Sequence, residues 1–528
     1  MAFPTLAKRL QRTHLHQLLS PFILHHLHST SSSTLSQQSH HHISQAFHRT
    51  HFIPFRSSPP QLHFSTLQHQ PPKTNPDPLD FNAGTFQTHD LQDHPGLLHV
   101  VKSLEKVAHF PTEAEAMSSL EESCVEVSPE LVRSAIWVLR EDWRVAFLAF
   151  KWGEKWDCCD EEAWILMVWV LGSHRKFNTA WCLIRDLHRS SMDTRRAMLV
   201  MIDRYACAND PDKAIWAFHF MEKFSLTPDQ EAFCIALNAL CKHGYIEKAE
   251  EFMLVNKKLF PLETEGFNII LNGWCNISVD LSEAKRVWRE MSKCCIEPNA
   301  TSYTHMIHCL SKDGNLFDSL RLYDEMKKRG WLPSIKVYNS LIFVLTRENC
   351  FKEALKILQK LRESGLQPDA TTYNSMISPL CKARKLDEAR NMLVTMLGEN
   401  IGPTTETYHA FLEIVEFEET LEVLSRMKKA KLGPSRETFG MVLEKFFKVE
   451  QAENALKIWE EMKRYDVVPD SAHYTIMLQG LATCGLFTKA REFLAAMRSD
   501  GFIEDPKVKK LVKEPVSTVR TKENGLDH

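Results

Sequence analysis

The sequence predicts an all-α solenoid of stacked helical hairpins, and three observations carry that expectation. Prolines at Pro228, Pro298, Pro333, Pro368, Pro403, Pro434 and Pro469 recur at spacings of 70, 35, 35, 35, 31 and 35 residues. In phase with them stand aromatic residues, Tyr303, Tyr338, Tyr373, Tyr408 and Tyr474, with Phe233, Phe267 and Phe439 in the equivalent slot. Small residues sit mid-repeat at Ala180, Ala214, Ala249, Ala284, Ser319, Ala354, Ala389, Ala455 and Ala490, and Met221, Met291, Met326, Met396, Met462 and Met497 follow late in the unit. Chance does not hold such independent markers in register over several hundred residues, and a fixed period of this size is the signature of a repeat array. Glycine supports the helical reading: 18 residues in 528 is about half the usual ~7%. That scarcity argues against Gly-rich phosphate-binding loops and turn-rich β architectures.

Taken in chain order, residues 1–76 read as an organelle transit peptide and low-complexity leader. They contain no Asp or Glu, six basic residues (Lys8, Arg9, Arg12, Arg49, Arg56 and Lys73) and 12 of the 25 histidines. An Arg- and Ser-rich, acid-poor start is the mark of an import signal, and 2–19 can form a short basic amphipathic helix. The cations inside that helix favour the mitochondrion, with the chloroplast as the alternative. Without the leader the chain carries 58 basic against 67 acidic residues, a net charge of −9. Residues 77–125 read as a linker with one or two short helices. The longest apolar run, Ala163 to Leu171, is nine residues; a membrane span needs about 20, so no membrane partner is expected.

Residues 126–505 then divide into about 11 units opening near Glu126, Glu161, Arg195, Gln230, Thr264, Ala300, Ile335, Ala370, Thr405, Arg436 and Ser471. Each reads as two helices. In 370–404, Tyr373, Met376, Ile377 and Leu380 share one helical face. A polar break at 382–385 follows, then a second stripe of Leu386, Ala389, Met392, Leu393 and Met396, stopped by Gly402 and Pro403. The small residue lets two helix axes approach to about 8–10 Å. One hairpin cannot bury its own apolar face, so neighbours must stack. The two earliest units are degenerate, with Trp143, Trp152, Trp156, Trp164 and Trp169 supplying bulk in a cap. The unit at Thr405 has 31 residues and reads as having lost its inter-helix turn. Residues 506–528 are a charged tail.

Chemistry-bearing motifs are missing. The 14 cysteines contain no C-x-x-C pair and no H-x-E stands near them, so zinc spacings are absent. Cys241, Cys275 and Cys381 recur at one place in the repeat and read as core packing. No P-loop, H-E-x-x-H or Ser-His-Asp order is found. The expectation is a non-enzyme with no catalytic residue, metal, cofactor or small-molecule substrate.

These units resemble pentatricopeptide repeats. The resemblance is carried by the 35-residue length, the TYN or VYN opening, the LCK after the first helix, the EA pair and the G-x-x-P-[DNS] ending. Ile335 to Asp369, IKVYNSLIFVLTRENCFKEALKILQKLRESGLQPD, is the cleanest copy. The whole resembles the P class of plant organellar proteins, and the resemblance implies a right-handed superhelix. It also implies a sequence-specific adaptor for single-stranded organellar RNA, serving splicing, processing, stabilisation or translation, one base per repeat. Other RNA-processing proteins are a second class of partner. The competing reading is a protein-interaction scaffold without direct RNA binding, which the net negative charge favours.

By the same resemblance the fifth and last residues of a repeat read a base: Asn268 with Asn299, Thr304 with Ser334, Asn339 with Asp369, Asn374 with Thr404, and Thr475 with Asp505. Family pattern assigns U to Asn with Asp, G to Thr with Asp, A to Thr with Ser, and a pyrimidine to Asn with Asn or Thr. Units 264–404 would then prefer pyrimidine-A-U-pyrimidine. A structural reading stands beside this, in which Asn holds the helix start and Asp caps the next helix. The flanking units, with Leu199, Cys234, His409 and Gly440 at the fifth place, depart from the pattern. Lys242, Lys312, Arg347, Lys382 and Lys448 share the thirteenth place and read as a ladder for phosphates, or as cations at helix C-termini. Where the family carries an aliphatic residue at the second place, this chain has Glu265, Thr301, Lys336, Thr371, Glu437 and Ala472.

Overall fold

The computed structural model describes residues 96–107 and 127–503. The leader, most of the linker, the tail and Asp505 lie outside them. Among the described residues there are 23 α-helices, one 3-10 turn, one π-turn and no strand. None of the helices is long and apolar enough to cross a membrane.

Local chemistry explains where the helices begin. First helices start behind a short polar N-cap whose side chain takes up an otherwise orphaned backbone N–H: Asp229, Asn299, Asp369, Thr404, Ser435 and Asp470. Five of these caps are reciprocated by the side chain three residues on, Ser302, Thr372, Thr407, Thr438 or His473. Most first and second helices run 13 residues, and between them one residue turns left-handed, for example Gly314 at φ 89° and Arg384 at φ 58°. At Gly314 a glycine is needed for a second reason: a Cβ there would meet the Arg347 guanidinium at 3.0 Å.

The hairpins then stack. Each first helix packs on its own second helix and, except between Thr405–Leu412 and Arg436–Lys448, on the first helices before and after it, whereas successive second helices scarcely meet. The first helices therefore form the closely spaced side of the stack. The small residues lie at the tight crossing: Ala214, Ala249, Ala284, Ser319, Ala354, Ala389, Ala455 and Ala490 are all fully buried. Replacing Ala354 by Leu forces extra methylenes into that crossing and is expected to cost about 1–3 kcal/mol, read as a lowered denaturant midpoint. The aromatic openers pack there too, and their hydroxyls reach back to the second helix. Tyr303 donates to Glu325 at 2.5 Å and Tyr474 to Asp500 at 2.5 Å, while Tyr338 pairs with Ser364 at 2.8 Å. Burial pushes Tyr303, Tyr373 and Tyr474 up to about 12.

At the N-terminal end, helix Leu97–Val107 packs on the hairpin of Pro129–Val138 and Trp143–Lys155. Trp152, Trp164 and Trp169 fill that core, but Trp156 is 52% exposed because it follows the last turn of its helix and contributes no bulk. A buried polar knot joins the next two units. His243 Nε2 lies 3.0 Å from Asp203, and Arg204 donates to the other carboxylate oxygen at 3.0 Å. Burial pushes the Asp203 carboxyl up, but the hydrogen bond from His243 and the charge of Arg204 outweigh it and hold the group below its ordinary range. With the folded value lowered, the unfolded chain takes up the proton first as the pH falls. The stabilisation is thus present at neutral pH and lost below about pH 4. The urea midpoint should fall over that window, and less steeply in Asp203→Asn.

Two units break the period, each in its own way. The unit at Thr264 has one extra residue, 36 before Ala300. Its first helix, Thr264–Asn272, absorbs it by passing into the π-turn Gly273–Ile277. The 31-residue unit corrects the sequence expectation: its inter-helix turn survives at 413–416, and the first helix is what shortened, to the eight residues Thr405–Leu412. A turn must reverse the chain, whereas removing about one helical turn of 3.6 residues leaves the faces in phase. The carbonyls exposed by the loss are taken up by Lys445 of the following unit. Its Nζ donates to Leu412 O at 2.9 Å, Val415 O at 2.6 Å and Thr420 Oγ1 at 3.0 Å.

Candidate nucleic-acid interface

The fifth residue of a unit meets the last residue across the junction with the next unit. Asn268 Nδ2 donates to Asn299 Oδ1 at 3.1 Å, Asn339 Nδ2 to Asp369 Oδ1 at 3.5 Å, and Asn374 Nδ2 to Thr404 Oγ1 at 3.0 Å. A third residue completes each set. Ser302, Thr372 and Thr407 donate their hydroxyls to the amide oxygens of Asn268, Asn339 and Asn374 at 2.6, 2.8 and 2.7 Å. The cap of one first helix, its N3 hydroxyl and the previous unit's amide thus form one polar seam. Each Asn spends one donor and one acceptor there; Asn268 and Asn339 keep one N–H and one lone pair, while the second N–H of Asn374 reaches Glu406 at 3.5 Å. Asn268 is 3% and Asn339 7% exposed; Asn374 is half-buried.

Sequence reasoning missed the third-place hydroxyls. Their signal is plain in retrospect: Ser302, Thr372, Thr407 and Thr438 each stand directly before the aromatic opener. The seam also continues into a flank, where His409 Nε2 meets Thr438 Oγ1 at 2.9 Å.

One central junction lacks the seam. At the unit opening at Ile335, the third place is Val337, which is buried. Thr304 accordingly turns its hydroxyl to Ala300 O at 2.8 Å, and Ser334 makes no capping bond and is exposed. Thr475 likewise bonds back to Ser471 O at 2.8 Å, and its partner Asp505 lies outside the described residues.

The thirteenth-place cations Lys242, Lys312, Arg347, Lys382 and Lys448 are exposed, each in the last turn of a first helix. Their surroundings differ. Arg347 donates to Lys312 O at 2.6 Å, closing the C-terminus of the preceding first helix. The Lys312 ammonium sits 4.7 Å from the Phe343 ring centroid, and Lys448 pairs with Glu444 at 3.2 Å. The thiols of Cys241 and Cys381 are buried and pushed up to about 12 by desolvation, which keeps them protonated packing groups.

A model of the PPR repeat family matches residues 333–382, 368–415 and 434–483. The pentatricopeptide repeat domain matches 286–347, and a single-repeat model matches 197–226, 231–254 and 472–502. The chain carries pentatricopeptide repeats. A pentatricopeptide repeat-containing mitochondrial protein of Arabidopsis thaliana is 52% identical over 293 residues, covering 55% of this chain and 53% of that protein. A second such mitochondrial protein of the same plant is 36% identical over 206 residues, covering 38% of this chain and 36% of the other. The matched pentatricopeptide region thus spans about half the length of the first relative and about a third of the second. Among solved structures, the pentatricopeptide repeat protein PPR10 from maize aligns at 20% identity over 81% of this chain and 66% of that one, with a TM-score of 0.34.

Proposed function

We propose that this chain is a P-class pentatricopeptide repeat protein that binds single-stranded RNA, one base per repeat, as an adaptor in mitochondrial RNA metabolism. The observation that carries the reading is the fifth-place polar series, Asn268, Thr304, Asn339 and Asn374, on consecutive first helices packed side by side. Amides and hydroxyls at such a pitch can meet one base edge per unit. The seam holds the amides in fixed orientation, so binding need not order them. Exposed cations at the first-helix ends suit the backbone, and the names of two relatives support the mitochondrion. The mechanism is occlusion: RNA laid along the stack is shielded from nucleases and kept from pairing with itself. Electrophoretic shifts with random single-stranded RNA at two salt concentrations test it. Binding should weaken as salt rises, and no shift at either salt rejects it. Crosslinking and sequencing of bound organellar RNA would then identify the transcript, and a fusion of residues 1–80 to a fluorescent reporter tests the compartment.

A scaffold reading is favoured by one observation. Val394 and Leu397 are exposed on second helix Leu386–Gly398, which through Arg390 and Leu393 also lines a small cleft shared with Tyr408, Phe411, Val423 and the charged Glu419, Glu422 and Arg426. Absence of RNA binding combined with a saturable protein partner would favour it.

A further inference from the structure

We propose that Lys336, His305, His308 and Asn276 form a seat for one backbone phosphate of the bound RNA. The proposal rests on the RNA-binding reading and names a contact that the fifth and last places do not supply.

The seat draws on three consecutive first-helix segments. Asn276 lies in the π-turn that absorbs the extra residue of its unit; such turns are frequent at functional sites. From there its Nδ2 donates to Asn272 Oδ1 at 2.7 Å and to His305 Nδ1 at 3.1 Å, while its Oδ1 accepts from Lys336 Nζ at 3.4 Å. His305 accepts at Nδ1, so in the neutral ring its proton sits on Nε2, a free donor. His308 is the opposite tautomer. Ser340 gives its one proton to Lys336 O at 2.7 Å, so its oxygen accepts from His308 Nδ1 at 3.0 Å. That leaves the His308 Nε2 lone pair to take up a proton.

The charge balance is lopsided. Around these groups the acting charges are Lys336, Lys312 and the two imidazoles, with the Cys275 thiol as the one potential anion. No carboxylate pairs with Lys336 among the described residues, although cations of the second helix Leu281–Lys293 are paired: Arg286 with Glu250 and Glu283, and Lys285 with Asp318. Burial brings both imidazoles down to about 4, with Lys336 adding to the effect. Desolvation lowers Lys336 as well. Yet Lys336 remains exposed to water. An accessible cation, an imidazole N–H and a protonatable imidazole, with no acid among them, are what an incoming oxyanion needs. The junction is also the one where Thr304 and Ser334 stand outside the seam.

The test is fluorescence anisotropy of the full chain with single-stranded oligoribonucleotides of several sequences across a salt series. Lys336→Met is expected to weaken binding about three- to tenfold at low salt, equally for every sequence, and to reduce the slope of log K against log salt by about 0.7, the value for one phosphate on a single strand. Lys336→Arg should restore the slope, and Lys352→Met, on a second helix, should leave it unchanged. If the parent binds RNA and Lys336→Met keeps its slope and affinity, the seat is overturned while the RNA reading stands. If the parent binds no RNA, both fall. In that case a titration with inorganic phosphate, followed by the His305 and His308 ring resonances, still separates a small-phosphate site, which shifts them, from no anion site, which does not.

Discussion

Lys445→Met should lower stability by about 2–4 kcal/mol, the largest effect expected of any single exposed or half-buried side chain in the stack. The shortened first helix Thr405–Leu412 leaves carbonyls that no following turn can satisfy, and one ammonium from the next unit binds two of them together with the Thr420 hydroxyl. Burial brings Lys445 down to about 8, so at pH 7 it still carries its proton and all three donors. Met keeps the stem and its packing but removes the donors. Each orphaned buried acceptor then costs about 1–3 kcal/mol, reduced where water reaches the half-buried site. Hydrogen exchange should locate the damage: amides of 405–429 should lose protection before those of the units at Ile335 and Ala370. Uniform loss along the array, or none, would show that the lysine is not the replacement for the missing helical turn.

The second large effect concerns base choice. Asn374→Thr should move the preference at its nucleotide from pyrimidine toward purine by about 1–3 kcal/mol, about five- to 150-fold. It would be read by competition between oligoribonucleotides differing at one position. The same change breaks the seam bonds to Thr404 and Thr407, so stability should also drop by about 1 kcal/mol. Changes in stability without any change in base preference would mean that Asn374 serves the junction alone. The two roles are separable because Thr407→Val removes the seam donor while leaving the fifth-place side chain in place.

Much of the fold was legible because a repeat states its packing rules many times over. Alanine at the helix crossing, an aromatic in the opening turn of the first helix and Pro after the second recur with a period that only stacked hairpins satisfy, and the helices follow that period. The site was legible in part. Pairing of Asn268 with Asn299, or Asn374 with Thr404, follows the fifth and last places that the resemblance to pentatricopeptide repeats singles out. Their shared bonds to Ser302 and Thr407 could not, since a hydroxyl three residues into a helix looks like half of a local capping box. Its second partner stands 33 or 34 residues earlier.

What the sequence alone determined is everything that depends on period and local preference: helix type, helix starts, the tight crossing and the order of units. Tertiary structure decided how departures from the period were absorbed. An added residue became a π-turn that brings Asn276 to His305, and a deletion shortened a helix whose end is closed by Lys445, about 30 residues away. The physical reason is common to both. Hydrogen-bond partners for an interrupted helix must be found somewhere, and which neighbour supplies them depends on distances that exist only once the hairpins are packed.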